Sequence, residues 1–141
     1  MNTIVIAAFA AWLFAQLAKI CIGFLRYGSN EKRRILWRMI WAGGMPSAHS
    51  AVIAASAFTV LRASGSQSAL FGLSLVMACI VIYDRSRMYA IYCTFQMRYP
   101  ELKQAVQNDP VLKDLVGHRF SEIVTGVIIG LVAGCIMVSI C

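Results

Sequence analysis

Two strings in this chain carry residue types that catalysis can use, and each opens an apolar run. Gly44-Met45-Pro46-Ser47-Ala48-His49-Ser50 leads into Ala51 to Leu61, and His118-Arg119-Phe120-Ser121-Glu122 leads into Ile123 to Ile140. Segments that apolar gain nothing in stability from a leading Ser-x-His, or from an imidazole with a carboxylate one helical turn on. Two histidines at the mouths of two helices do supply what phosphorus chemistry needs: one ring nitrogen to attack, and a second ring to protonate the departing oxygen. Glu122 follows His118 at helical spacing and can accept an imidazole N–H, which leaves the other nitrogen as the nucleophile. Ser47 and Gly44 add hydroxyl and backbone donors at a helix N-terminus, a seat for an anion.

The cations complete the inventory. Lys19 and Arg26 lie two helical turns apart and share a face, and Asp84, Arg85 and Arg87 close the third apolar block. Cations at three helix ends form a clamp for an oxyanion, and a phosphate ester fits the set. Asp84 reads equally as partner to a clamp arginine and as the solvated end of its block. Taken singly, each histidine also reads as an interfacial anchor, His49 as a helix-start donor beside a Ser47 cap, and Lys19 as a snorkelling side chain. Their arrival at one membrane level favours a single site.

The elements that must position these groups follow from composition. The chain is 60% hydrophobic, and its apolar residues fall in long blocks instead of a soluble helix's three-to-four rhythm, which describes an all-α integral membrane protein. Four blocks are candidates for a four-span bundle: about Ile4 to Leu25, Pro46 to Leu61, Ala69 to Tyr83 and Ile123 to Ile140. A spanning helix needs roughly 20 residues, so the middle two are short. They suffice if Trp37 and Trp41 lie at the interface and the third helix continues past Asp84 into water. Met1-Asn2-Thr3 has no positive charge and no small-residue cleavage site precedes Lys19, so the first helix is expected to remain in the mature protein.

Arg26, Lys32, Arg33, Arg34 and Arg38 follow the first block; Arg85, Arg87, Arg98, Lys103, Lys113 and Arg119 follow the third; only Arg62 lies between the second and third. The positive-inside rule makes the rich loops cytoplasmic, both termini external, and the active site cytoplasm-facing at a plasma (inner) membrane. The net charge of +7 is then a collar for anionic membrane lipids. With no reading motif, nucleic acid is not an expected partner.

A single domain, 1–141, accounts for the whole. The stretch from Asp84 to Arg119 is expected to form short cytoplasmic surface helices: Arg85 to Tyr99, a break at Pro100, then Glu101 to Val116 interrupted at Pro110. Tyr27 to Arg38 reads as a turn followed by a short basic helix. Gly126, Gly130 and Gly134 recur every four residues, as do Ala7, Ala11 and Ala15; such faces serve close packing within the bundle or a homodimer interface. Lys19 continues the alanine line, so it should point into the bundle. The five cysteines form no C-x-x-C pair and read as small hydrophobes.

Lys19-x6-Arg26, Pro46-Ser47-Ala48-His49 and His118-x3-Glu122 resemble the three motifs of the type-2 phosphatidic acid phosphatase and vanadium haloperoxidase superfamily, K-x6-R-P, P-S-G-H and S-R-x5-H-x3-D. The strings Gly-Gly-Met-Pro-Ser-Ala-His-Ser, Tyr83-Asp84 and Leu115-Val116-Gly117-His118 resemble its small, divergent bacterial branch, over nearly the whole chain. The resemblance implies a lipid phosphatase that uses neither metal nor cofactor. His118 would form a phosphohistidine, His49 would protonate the leaving group, Glu122 would orient His118, and Lys19, Arg26 and Ser47 would grip the phosphate. The implied substrate is a lipid phosphate such as a polyprenyl diphosphate or phosphatidic acid. Tyr27 stands where the superfamily has proline, Ala48 where it has glycine, and no Ser-Arg precedes His118 at the motif's spacing. The divergent branch follows Tyr-Asp with Gly-Val-Arg-Arg, whereas here Arg85-Ser86-Arg87 follows; Arg87 is expected to fill the arginine's role from another angle. If nothing fills it, the alternative is a non-catalytic lipid-phosphate binding or carrier protein.

Overall fold

The computed structural model describes residues 2–27, 44–108 and 118–140, which fold as five helices with no strand among them. They are α1 (Thr3–Tyr27), α2 (Ala48–Ser64), α3 (Ala69–Arg98), α4 (Pro100–Asn108) and α5 (Phe120–Ile140). The expected basic helix before Arg38, Trp37 and Trp41, and the surface segment beyond Asn108 lie outside the described residues.

Local chemistry sets the boundaries. Ser47 caps α2, accepting from the Ser50 N–H at 3.4 Å, and Ser68 caps α3, accepting from the Phe71 N–H at 3.1 Å. Gly65 ends α2 at φ 79°, a conformation that glycine adopts without a Cβ penalty, while its N–H reaches the Leu61 carbonyl at 3.0 Å. The chain therefore turns back within four residues, and α2 and α3 run as an antiparallel hairpin. No proline or glycine interrupts the stretch after Gly72, so α3 continues past Asp84 to Arg98 as one helix, and the separate surface helix expected over Arg85 to Tyr99 is its second half instead. It stops where Pro100 pushes Tyr99 into extended backbone, φ −133° and ψ 86°. Pro100 then opens α4, where its missing N–H costs nothing.

Among the described residues, three helices are long and apolar enough to cross a membrane: Thr3–Leu25 of α1, Ala69–Arg98 and Phe120–Ile140. The lipid-facing character is plainest on α3, where Leu73, Val76 and Ile80 are 61%, 55% and 55% exposed. Exposed leucine and isoleucine in such numbers suit hydrocarbon, which solvates them as well as a protein core would. The molecule is a helical membrane protein. At 17 residues, α2 spans only about 26 Å against roughly 30 Å of hydrocarbon.

Short as it is, α2 is the hub, packing against α1, α3 and α5. Ala48, Ala51, Ala54, Ala55 and Ala57 are buried, and with Ala11, Ala15 and Ala133 they make a core of methyl groups. Such a core works because backbones approach closely. A Cβ built on Gly126 would collide with the Ser47 carbonyl oxygen, and one on Gly130 with that of Ala51; on Gly134 it would meet Phe58 at 3.1 Å. The glycine stripe of α5 is thus used inside the bundle, against α2, and a homodimer would have to form through another surface. Ala7, Ala11 and Ala15 of α1 are fully buried in the same way, and Lys19, next on their line, is 7% exposed.

Candidate functional site

The close approach of α5 to α2 brings the two histidine strings together. The Ser47 N–H donates to the Glu122 carbonyl oxygen at 2.9 Å, tying the entrance of α2 to the first turn of α5. Gly44, at φ 86°, and a cis Met45–Pro46 bond carry the chain into this position. Ser47 is fully buried, its Oγ accepting from the Ser50 hydroxyl at 3.0 Å.

His118 lies just before α5 and is 1% exposed. Its Nδ1 is 3.1 Å from Glu122 Oε2, as the helical spacing suggested. The carboxylate can only accept here, so Nδ1 carries a proton, and in the neutral ring Nε2 is the nitrogen with the lone pair. That Nε2 is buried and has no hydrogen-bond partner among the described residues. Glu122 Oε2 also accepts from the Arg119 N–H at 3.2 Å, the N3-to-N-cap half of a capping box. One carboxylate oxygen thus fixes the helix start and the imidazole tautomer together.

His49 occupies the second position of α2 and is exposed, in contrast to His118. Arg85 from α3, His118 from the start of α5 and Lys19 from α1 all act electrostatically on its ring. Groups from three other segments are therefore within electrostatic range of this imidazole. The sequence anticipated His49, His118, Glu122, Ser47 and Lys19 in this cluster. The side chain of Arg26, near the end of α1, lies outside the described residues.

Arg87 is the expected ligand that the structure does not bring to the cluster. Two residues of helix turn a side chain through about 200°, which sets Arg87 opposite Arg85 on α3. Its guanidinium lies over the Tyr83 ring, 5.8 Å from the centroid. Arg85, which the sequence placed among the helix-end cations but not in the missing arginine's role, faces the bundle. Asp84 pairs with it, its Oδ2 3.3 Å from an Arg85 terminal nitrogen, while its own side chain stays 58% exposed. The signal was present in the helix period: Arg85 falls seven residues after Ala78, the buried residue of α3.

Among the described residues no group of three or more His, Cys, Asp or Glu side chains could hold a metal ion. The cluster has the groups to fix an anion between Lys19, Arg85 and the α2 N-terminus, next to two imidazoles, one buried and one exposed.

Comparison with known proteins places the chain in a family. The chain is 26% identical over 147 residues to the uncharacterized membrane protein YuiD of Bacillus subtilis (strain 168), covering 92% of this chain and 90% of the relative. No solved structure matches. The family model described as "Divergent PAP2 family" matches residues 1–133, nearly the full length. With its two histidine strings joined at one helix seam, the chain belongs to the divergent PAP2 family.

Proposed function

We propose that this protein is a membrane lipid phosphatase, hydrolysing a phosphomonoester or pyrophosphate on a lipid such as a polyprenyl diphosphate or phosphatidic acid. The observation that carries the reading is His118: buried, its Nδ1 held by Glu122 and its Nε2 unpartnered. An unpaired buried nitrogen costs stability, about 1 to 3 kcal/mol, and a nucleophile must stay unpaired until its substrate arrives.

In the proposed cycle the His118 Nε2 lone pair attacks phosphorus and the P–O bond to the lipid breaks. His49 gives its proton to the departing oxygen, releasing the lipid alcohol or, from a diphosphate, the lipid monophosphate. Water then attacks the phosphohistidine, His49 takes the water's proton, and the P–N bond breaks to free phosphate and restore His118. Glu122 stabilises the imidazolium character that His118 gains during transfer. Lys19, Ser47 and Gly44 would grip the phosphate oxygens, with Arg26 as a further ligand. The lipid tail stays among the helices, four of which (α1, α2, α3 and α5) we take to span the bilayer.

Protein purified in detergent should release phosphate from dioleoyl phosphatidic acid in the presence of EDTA, and vanadate should block it. Rapid quenching with labelled substrate should trap an acid-labile phosphoprotein that His118→Ala lacks. Binding of the lipid without release would sink the hydrolase and leave a lipid-phosphate carrier.

A plasma-membrane location, with external termini and the site at the cytoplasmic face, belongs to the same proposal. A single cysteine at Asn108 in a cysteine-free background should resist an impermeant thiol reagent in intact cells, and one at Ser66 should react. The reverse pattern would put the site outside.

A further inference from the structure

The family's arginine string is absent after Tyr83-Asp84, yet transfer of a phosphoryl group needs a donor on its equatorial oxygens. We infer that Arg85, from the bundle-facing stripe of α3, supplies the missing phosphate-binding guanidinium and that Arg87 does not. The inference rests on the phosphatase reading for its substrate class, and on the fold for its geometry.

Three observations lead to Arg85. The partly buried stripe of α3 runs through Phe71, Ser74, Ala78, Val81, Arg85 and Tyr89, the three-to-four spacing of one helix face. Arg85 is on that face, towards α2, and Arg87 is on the other. Depth agrees with rotation. Counted from Ala69, Arg85 is the seventeenth residue of α3, and α2 has 17 residues, so in an antiparallel hairpin Arg85 stands level with the start of α2. His49 is in that first turn, and Arg85 is the foremost charge acting on it.

The third observation concerns what the guanidinium already bonds. A terminal nitrogen is 3.3 Å from Asp84 Oδ2, which steadies the fork, while Nε is buried with no hydrogen-bond partner among the described residues. A buried guanidinium N–H left unmade is costly, and an anion's oxygen is the strongest acceptor that could relieve it. Arg87 is exposed, its guanidinium lying over the Tyr83 ring. Asp84 is then a positioning residue for Arg85. A fork aimed from α3 and an ammonium from α1 would hold the phosphate from opposite sides, above the α2 N-terminus.

The test uses the full chain in detergent, with Arg85→Ala, Arg85→Lys, Arg87→Ala and, as a distant control, Arg98→Ala. Two readouts are taken: orthovanadate affinity by calorimetry, and EDTA-resistant phosphate release from dioleoyl phosphatidic acid. Arg85→Ala should weaken vanadate binding about tenfold or more and lower kcat/KM about 100- to 1000-fold. Arg87→Ala should cost far less in both, and Arg98→Ala should match the parent. Should Arg85→Ala lose its monodisperse elution, Arg85→Lys decides: it keeps the charge without the fork and should still bind vanadate more weakly than the parent.

Parental vanadate affinity in Arg85→Ala, or in Arg85→Lys where the alanine variant fails, would overturn the assignment. So would an Arg87→Ala loss as large as that of Arg85→Ala. A parent that binds no vanadate would also overturn it. If the parent binds vanadate, loses it on Arg85 substitution, and never releases phosphate, the hydrolase reading fails while the Arg85 assignment stands.

Discussion

The α2–α5 seam and helix α3, the two elements that would frame the proposed site, are built from opposite materials. At the seam, glycines meet backbone carbonyls and alanine methyls, and His118 and Ser47 are sealed within it. Along α3, 30 residues carry one buried side chain, and the apolar surface faces outward. The seam fixes position to a fraction of an ångström, because small residues packed backbone to backbone have nowhere to go. Helix α3 fixes only level and rotation. A nucleophile and its orienting carboxylate need the first kind of support; a long, charged arginine can use the second. On the proposed reading, that difference would let an arginine be supplied from a new position on α3 while the histidine strings stay where they are.

The comparison can be broken at its strong end. His118→Ala should abolish phosphate release, a loss of at least about 10,000-fold, with unchanged elution, since a nucleophile has no substitute. Residual turnover near the parent's would move the nucleophile elsewhere. Glu122→Gln should cost about 100- to 10,000-fold in kcat. Its amide oxygen can still accept from the Arg119 N–H, so the helix start survives and the melting temperature should hold. A large drop in melting temperature would mean that Glu122 acts mainly as a cap.

Gly130→Ala probes the packing itself. Its methyl group meets the Ala51 carbonyl and the Ala54 side chain, so thermal stability should fall by about 1 to 3 kcal/mol, with activity falling as the seam opens. A variant as stable as the parent would show that the seam is looser than described. At the other extreme, Leu73→Ala on the outer face of α3 should change neither stability nor turnover by more than about 0.5 kcal/mol, because lipid replaces what the leucine covered. A large effect there would mean that protein, not lipid, covers α3.

Much of this was legible because the relevant spacing lies within one helix. Lys19 follows Ala7, Ala11 and Ala15 at steps of four, and its burial could be read from that line alone. His118 and Glu122 are one turn apart and meet. The glycines of α5 announced a close neighbour, though sequence could not say whether that neighbour was α2 or a second chain. Arg85 escaped for a related reason: its direction depends on which face of α3 is inward, and α3 is apolar nearly all round. Only Ala78, small and unremarked between Met77 and Cys79, marks the inner face. The span count stayed open because α2 reads as too short, and burial among other helices, not length, sets its place.

The shortness of α2 has a consequence for the bilayer. If α2 spans the bilayer as proposed, with Arg62 and the Gly65 turn at the far interface, a helix of about 26 Å leaves His49 some ångströms below the hydrocarbon boundary on the near side. A lipid of ordinary height must then sink, or the membrane must thin around the protein, before its phosphate reaches the histidines. Hydrophobic mismatch becomes a term in the reaction barrier. Turnover should therefore rise in vesicles of short-chain host lipids and fall in those of long-chain lipids, making membrane thickness itself a regulator.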